Sequence, residues 1–387
     1  MNGFKMSIKK VVAGVGALAV LAAVAFGAVW LDRSFFRQDE PDWVYPSFAA
    51  VSVSVFPEAE SLINPVAQTF IDSKDCDVAE FYEQNVGEQR VDIGNPVKLS
   101  YALSGVDKVS IQSVTFTIAD NAQMKNAKVI ADREMLGYVE LWNLYTNTEY
   151  FYEMALELTS GGTVKTSGSF RTADTPRMLN VEGLVNVRDF GGRKTVSGQR
   201  IKQGLLYRGS EMDGSVEEAY AITEDGVNTM WYDFNIKTDL DLRTKHNDTG
   251  VLPLGDGVNR TFFEMVAYED CFTMRGESLV RKVFVQLADK NNYPAYLHCT
   301  YGLDRTGTVC YLLGAVLGMS EEDLETDYRL SALALGHLTE DAYGEFKDKL
   351  NTYEGDTLQE KAEDYLLSAG VTEQEIAAIR SIYLEEK

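Results

Sequence analysis

The chain has 387 residues, 45% of them hydrophobic and 11% aromatic, and a formal net charge of −23. That length suits two folded units plus a further segment, with the composition of ordinary globular cores. So acidic a protein is poorly suited to nucleic acid or to anionic lipid headgroups, which call for basic surface. The three histidines (His246, His298, His337) are scattered, so no zinc constellation is apparent and no metal or cofactor is expected.

Lys5, Lys9 and Lys10 precede an uncharged stretch, Val11 to Leu31, rich in Ala and Val. Its 21 residues are enough to span a bilayer as a helix. Asp32, Arg33, Asp39, Glu40 and Asp42 follow. Lysines before the span and net acid after it orient the N-terminus inward and the rest outward. The expected plan is a cytoplasmic tail (1–10), a membrane anchor (11–31) and a linker (32–45), with everything beyond extracytoplasmic. The alternative is a cleaved signal peptide with a processing site near Ala23-Val24-Ala25, which would release the protein.

Residues 46–174 read as strands. Val51, Val53 and Val55 alternate, as do stretches around Val97–Tyr101 and Val114–Ile118, with Gly, Asn and Asp between them. Short strands at this spacing suggest an antiparallel sandwich. Leu144-Tyr145-Thr146-Asn147-Thr148-Glu149-Tyr150 resembles the corner before a late strand of fibronectin type III modules, with Tyr150 as the corner tyrosine. Phe170-Arg171-Thr172 resembles the module's final strand, and Asp174-Thr175-Pro176 reads as a linker.

The most informative run is His298-Cys299-Thr300-Tyr301-Gly302-Leu303-Asp304-Arg305-Thr306-Gly307. Five residues between Cys299 and Arg305 can curl into a cradle whose backbone N–H groups face a phosphate. Gly302 permits the tight turn. Tyr293 to Leu297 reads as a buried strand and Thr306 to Leu317 as a helix, whose N-terminal end favours an anion in the cradle. That field and the fork of Arg305 favour a thiolate at Cys299 and a two-point grip on phosphate oxygens. Of the other cysteines, Cys310 lies in the apolar helix and reads as core. A Cys76–Cys271 bridge would tie the two units together, though nothing in the spacing argues for one.

These residues resemble the bacterial tyrosine and lipid phosphatases of the atypical, dual-specificity kind. Asn186-Val187-Arg188-Asp189-Phe190-Gly191-Gly192, Gly204 to Ser210, and Thr238 to Thr244 with Asp241-Leu242-Arg243 are similar to further stretches of that family, as is the tail from Ala369 to Leu384. The resemblance covers 175–387 and implies an α/β domain, a mainly parallel sheet flanked by helices, with its site at the carboxyl ends of the strands. It implies hydrolysis of phosphate monoesters through a phosphocysteine, with Asp304 as proton donor. Family members that also act on lipids commonly carry Lys where this chain has Leu303, which counts against phosphoinositides.

The expected roles follow. Cys299 is the nucleophile, the amides from Thr300 to Arg305 and the Arg305 guanidinium bind the phosphoryl oxygens, and Asp304 is the acid, with Asp241 as the alternative. Thr300, Tyr301, Gly302, Leu303, Thr306 and Gly307 are expected around the substrate. Arg188, Asp189 and Arg243 are loop supports or substrate contacts, and His298 orients the loop. The expected partner is a phosphorylated protein or small phosphomonoester, phosphotyrosine first. Phosphoserine, phosphothreonine, phosphoinositides and an inactive phosphate-binding module remain as alternatives.

Overall fold

The computed structural model describes residues 52–57, 61–74, 76–87, 89–336 and 340–386. The stretch expected to be an anchor lies outside them, and among the described residues no helix is long and apolar enough to cross a membrane.

Seven antiparallel strands make the N-terminal unit. Strands β1 (Ser52–Pro57), β2 (Val97–Ser104) and β5 (Tyr138–Leu141) form one sheet in the order β1-β2-β5. Strands β3 (Ile111–Ala119), β4 (Lys128–Ala131), β6 (Glu149–Leu158) and β7 (Gly162–Arg171) form the other, in the order β4-β3-β6-β7. Along β6 every second side chain (Tyr150, Tyr152, Met154, Leu156) turns inward, the period-two pattern of a sheet with one wet face. These meet Val97, Leu99, Val114, Phe116 and Phe170 in one core. The Tyr150 hydroxyl accepts the Tyr145 N–H at 2.8 Å, pinning the turn before β6.

The stretch read as strands throughout also holds two helices, α1 (Pro65–Asp72) and α2 (Val78–Asn85), between β1 and β2. Their caps are Asn64 and Asp77, whose side chains accept the Val66 and Glu80 amides. They pack away from the sandwich, where Phe70, Phe81 and Val86 join Leu330, Ala332 and Leu333 of a helix in the C-terminal half. Eight-residue amphipathic helices give too short a periodic signal to stand out among valine-rich strands.

The C-terminal unit is built on a five-stranded sheet of β8 (Arg188–Asp189), β9 (Leu206–Gly209), β10 (Thr238–Asp241), β11 (Asn259–Phe262) and β12 (Ala295–His298), in the order β11-β10-β12-β9-β8. All pairings are parallel except β8 with β9, so the mainly parallel sheet holds. A short helix, α3 (Glu224–Asn228), covers one face, where Tyr207, Tyr296, Met230 and Phe234 pack. The other face carries α4 (Met274–Leu287), α5 (Asp304–Leu317), α6 (Glu321–Leu335), α7 (Glu340–Leu350), α8 (Leu358–Ser368) and α9 (Glu373–Tyr383). Helix α5 is buried from Thr306 to Leu317, and Ser320 caps α6 through the Asp323 amide.

The two units are stitched together. Arg177 pairs with Asp189 at 2.6 Å and donates to the carbonyls of Leu144 and Asn143 in the β5–β6 turn. Gln203 exchanges two hydrogen bonds with the Thr146 backbone. The segment read as a linker is held at both sides: Asp174 pairs with Arg200, and the Thr175 amide donates to Thr146. All four cysteines are free thiols, Cys271, Cys299 and Cys310 buried and Cys76 part-exposed.

Candidate active site

Parallel register brings the carboxyl ends of three strands side by side. Asp241 of β10 lies opposite His298 of β12, which lies opposite Gly209 of β9. Cys299 follows at the end of β12, and Leu303 leads into α5, so the ten-residue run spans strand, loop and helix start as expected.

Three consecutive carbonyls of the loop are drawn outward. Thr300 O accepts the Glu211 amide at 2.9 Å, Tyr301 O accepts Asn186 Nδ2 at 3.0 Å, and Gly302 O accepts Arg208 Nη2. A trans peptide points its N–H opposite its C=O, so the amides of Tyr301, Gly302 and Leu303 are turned toward the loop's centre. At Gly302 φ is +73°, and a Cβ there would lie 2.5 Å from Gly209 O. Only glycine lets the loop wrap so close to β9.

Arg305 stands at the opening. Among the described residues it makes no ion pair, and its one hydrogen bond is a loose 3.5 Å contact with Thr300 Oγ1. Cys299 is buried at the base. Leu303 and Gly307 offer no side chain to the cradle. The Leu303 side chain lies in the hydrophobic core, and Gly307 sits where a Cβ would press on the Tyr328 ring at 3.3 Å. Thr306 Oγ1 is buried and has no partner among the described residues. Tyr301 meets Tyr220 edge to face, ring centres 5.9 Å apart, beside the cradle.

Behind the loop lies a knot of charge. Arg188 and Arg208, both fully buried, converge with Arg193 on the single carboxylate of Asp327 in α6. Arg188 and Arg208 also share the Ser331 hydroxyl. Burial and the neighbouring Arg208 pull Arg188 down to about 10, against the attraction of Asp327. Burial would raise Asp327, but the three guanidiniums outweigh it and hold the carboxyl well below its usual range. Three cations on one anion leave surplus positive charge under the cradle, which favours an anion above it.

A second cluster surrounds His298. Asp239 and Asp241, two apart on β10, share a face and flank the imidazole, Nε2 lying 2.9 Å from Asp239 Oδ1 and 3.9 Å from Asp241 Oδ2. The 2.9 Å approach is off the line a hydrogen bond needs, so it counts as a close ion pair. Burial alone would depress the imidazolium, yet Asp241 and Asp239 outweigh it and hold it up to about 9. His298 Nδ1 also lies 3.2 Å from Cys299 O.

This cluster also encloses Asp241. Burial pushes its carboxyl up, but His298 and Arg243 more than reverse that and keep it ionised. Arg260 grips it as well. Arg243 is itself enclosed by Asp241, Asp213 and Glu211, with no donor left over for substrate. Arg188 supports the loop through Asn186 and Asp327. Asp189 belongs to the join between the units, accepting from Arg177 and from the Gly191 and Gly204 amides. None of these three touches the cradle's opening.

Asp304 opens α5, and its Oδ1 accepts the Tyr268 hydroxyl at 2.6 Å. Sequence reasoning assigned no role to Tyr268, Arg208, Asn186, Glu211 or Asp327. Asn186 and Arg208 fall inside runs that the resemblance singled out. Asp327 follows the acidic start of α6 and looks like solvated surface from composition alone.

A cysteine between a buried strand and a helix start, with inward amides and an unpaired arginine, defines an α/β domain built to hold a phosphoryl group. Residues 179–385, more than half of the chain, match the tyrosine phosphatase family, and the protein belongs to it. It is therefore a phosphatase by family. A solved structure, the core catalytic domain of the PP-IP phosphatase SIW14 from S. cerevisiae in complex with citrate, is similar at 16% identity. The likeness covers 43% of this chain and 84% of that one, with a TM-score of 0.27, too low for residue-level correspondence. No curated protein matches.

Proposed function

We propose that the protein hydrolyses phosphate monoesters through a phosphocysteine. The thiolate of Cys299 attacks phosphorus as the ester oxygen leaves with the proton of Asp304. Water then attacks the phosphocysteine, giving its proton to Asp304, so that phosphate departs and the thiolate returns. The amides of the cradle and the Arg305 guanidinium hold the equatorial oxygens throughout. The observation that carries this reading is the set of three loop carbonyls tied outward to Glu211, Asn186 and Arg208, which turns the amides in over Cys299.

Aryl phosphates, phosphotyrosine foremost, are the proposed substrates. The Tyr301–Tyr220 pair offers an aromatic wall beside the cradle. Leu303 in the core gives no charge for a second phosphate, and a net charge of −23 repels polyanions such as inositol pyrophosphates. We further place the catalytic unit outside the membrane, behind an anchor at residues 11–31. Lys5, Lys9 and Lys10 before that stretch support this orientation. The sandwich is proposed to be of the fibronectin type III kind, for which the 3+4 sheets and the Tyr150 hydroxyl's bond to the turn before it speak.

The test is turnover of 4-nitrophenyl phosphate and of a phosphotyrosyl peptide in chelator, by wild type and Cys299→Ser. Chelator-resistant activity abolished by the substitution is expected. Activity that survives Cys299→Ser would overturn the proposal.

A further inference from the structure

Tyr268 lies outside every motif and at an unusual place in the backbone. It has φ +53°, a region that bulky residues rarely adopt and that persists only where the surroundings insist on it. Its position is fixed by two grips on the first turn of α5. Its amide donates to Thr308 Oγ1 at 3.1 Å, and that hydroxyl donates to Asp304 O at 2.9 Å. Its own hydroxyl reaches Asp304 Oδ1 at 2.6 Å. The Tyr268 and Tyr328 hydroxyls lie 2.7 Å apart, and the Tyr328 ring is stacked flat on Tyr343 at 3.7 Å. The phenol is thus held from behind by a stacked aromatic pair while it holds the carboxyl in front.

We propose that Tyr268 is the positioning residue for proton transfer by Asp304. This rests on the reading of Asp304 as the acid. An aspartate at a helix start has two free torsions, and proton transfer in the transition state needs its carboxyl at hydrogen-bond distance from the leaving oxygen. A short phenol bond to one carboxyl oxygen restricts rotation of the group and so sets where its proton is presented. The backbone strain at Tyr268 is the cost of placing that phenol over the start of α5. Because the ester oxygen alone is affected, the effect of losing Tyr268 must grow as the leaving group becomes more basic.

The test uses the full chain and a series of aryl phosphates from 4-nitrophenyl to phenyl, with kcat/KM followed against leaving-group acidity. Wild type should show a shallow dependence, and Asp304→Asn a steep one, losing about 100-fold on phenyl phosphate. Tyr268→Phe should fall between, losing about 10-fold on phenyl phosphate and little on 4-nitrophenyl phosphate, with inhibition by inorganic phosphate unchanged. Tyr328→Phe, which removes the hydroxyl 2.7 Å behind the phenol, should steepen the dependence less, and it serves as the test should Tyr268→Phe fail to fold. A wild-type slope in both phenylalanine variants, beside a steep slope in Asp304→Asn, overturns the inference and leaves the acid in place. A wild-type slope in Asp304→Asn shows instead that the acid itself was misassigned, and the inference goes with it.

Discussion

Asp92 and Asn186 meet at 2.7 Å, the carboxylate of one accepting the backbone N–H of the other, although 94 residues separate them. Asn186 then hands the contact on, its side-chain amide donating to Tyr301 O in the cradle. Asp92 lies outside the family match, on the segment between α2 and β2, so the phosphate loop is buttressed from the N-terminal unit.

Replacing Asp92 with Ala should therefore weaken both stability and turnover. The buried amide of Asn186 would lose its acceptor, costing about 1–2 kcal/mol. The Arg90 ion pair adds little, because that side chain is 47% exposed. Urea unfolding and steady-state kinetics on 4-nitrophenyl phosphate check both halves. An undiminished kcat in a destabilised variant would disconnect Asp92 from the cradle.

Gly302→Ala should leave the protein folded and nearly inactive. A methyl group 2.5 Å from Gly209 O forces the loop off β9 and swings the inward amides. A displacement of about an ångström at a reacting centre costs on the order of 100-fold in rate. Circular dichroism with kinetics would decide. Activity within a few-fold of wild type would mean the loop does not need this close approach.

His298 makes stability depend on pH in a stated direction. Its folded value near 9 exceeds the ordinary 6.5, so the imidazolium stabilises the fold fully below pH 6.5 and ceases to do so as pH rises through 9. The gap corresponds to roughly 3 kcal/mol. His298→Asn should thus be most destabilised near pH 6 relative to wild type, the difference narrowing by pH 9.5. Denaturant midpoints at the two pH values measure it, and a gap that widens on the alkaline side would reverse the assignment.

Asp327→Asn should be among the most damaging single changes. It strips Arg188, Arg193 and Arg208 of their shared counter-ion in a dry interior, at about 3–5 kcal/mol. Bound vanadate or phosphate, by returning negative charge nearby, should recover part of the lost melting temperature. Thermal melts with and without the anion test this.

How legible was this in the sequence? The strand, loop and helix around Cys299 were plain, because a buried apolar run, a Gly and a helical repeat each leave a local signature there. The sandwich strands showed for the same reason, their period of two surviving in Val97–Tyr101 and Val114–Ile118. What stayed hidden is long-range pairing between chemically ordinary residues. Nothing near Asp327 marks it as the partner of arginines more than 100 residues away, and nothing near Tyr268 says that it reaches Asp304. Asp241 is a related case. A strand-end carboxylate looks available until Arg243, Arg260 and His298 are seen closing around it.

The Arg177–Asp189 pair has a practical consequence for anyone dissecting the chain. The family match begins at residue 179, two positions after the guanidinium that neutralises Asp189. A fragment cut at that boundary would inherit a buried acid stripped of its counter-charge, along with the bared side of α6 where Phe70 and Phe81 had packed. The family match thus leaves out contacts on which the catalytic unit closes, and expression boundaries are better drawn ahead of β1, which pairs with β2.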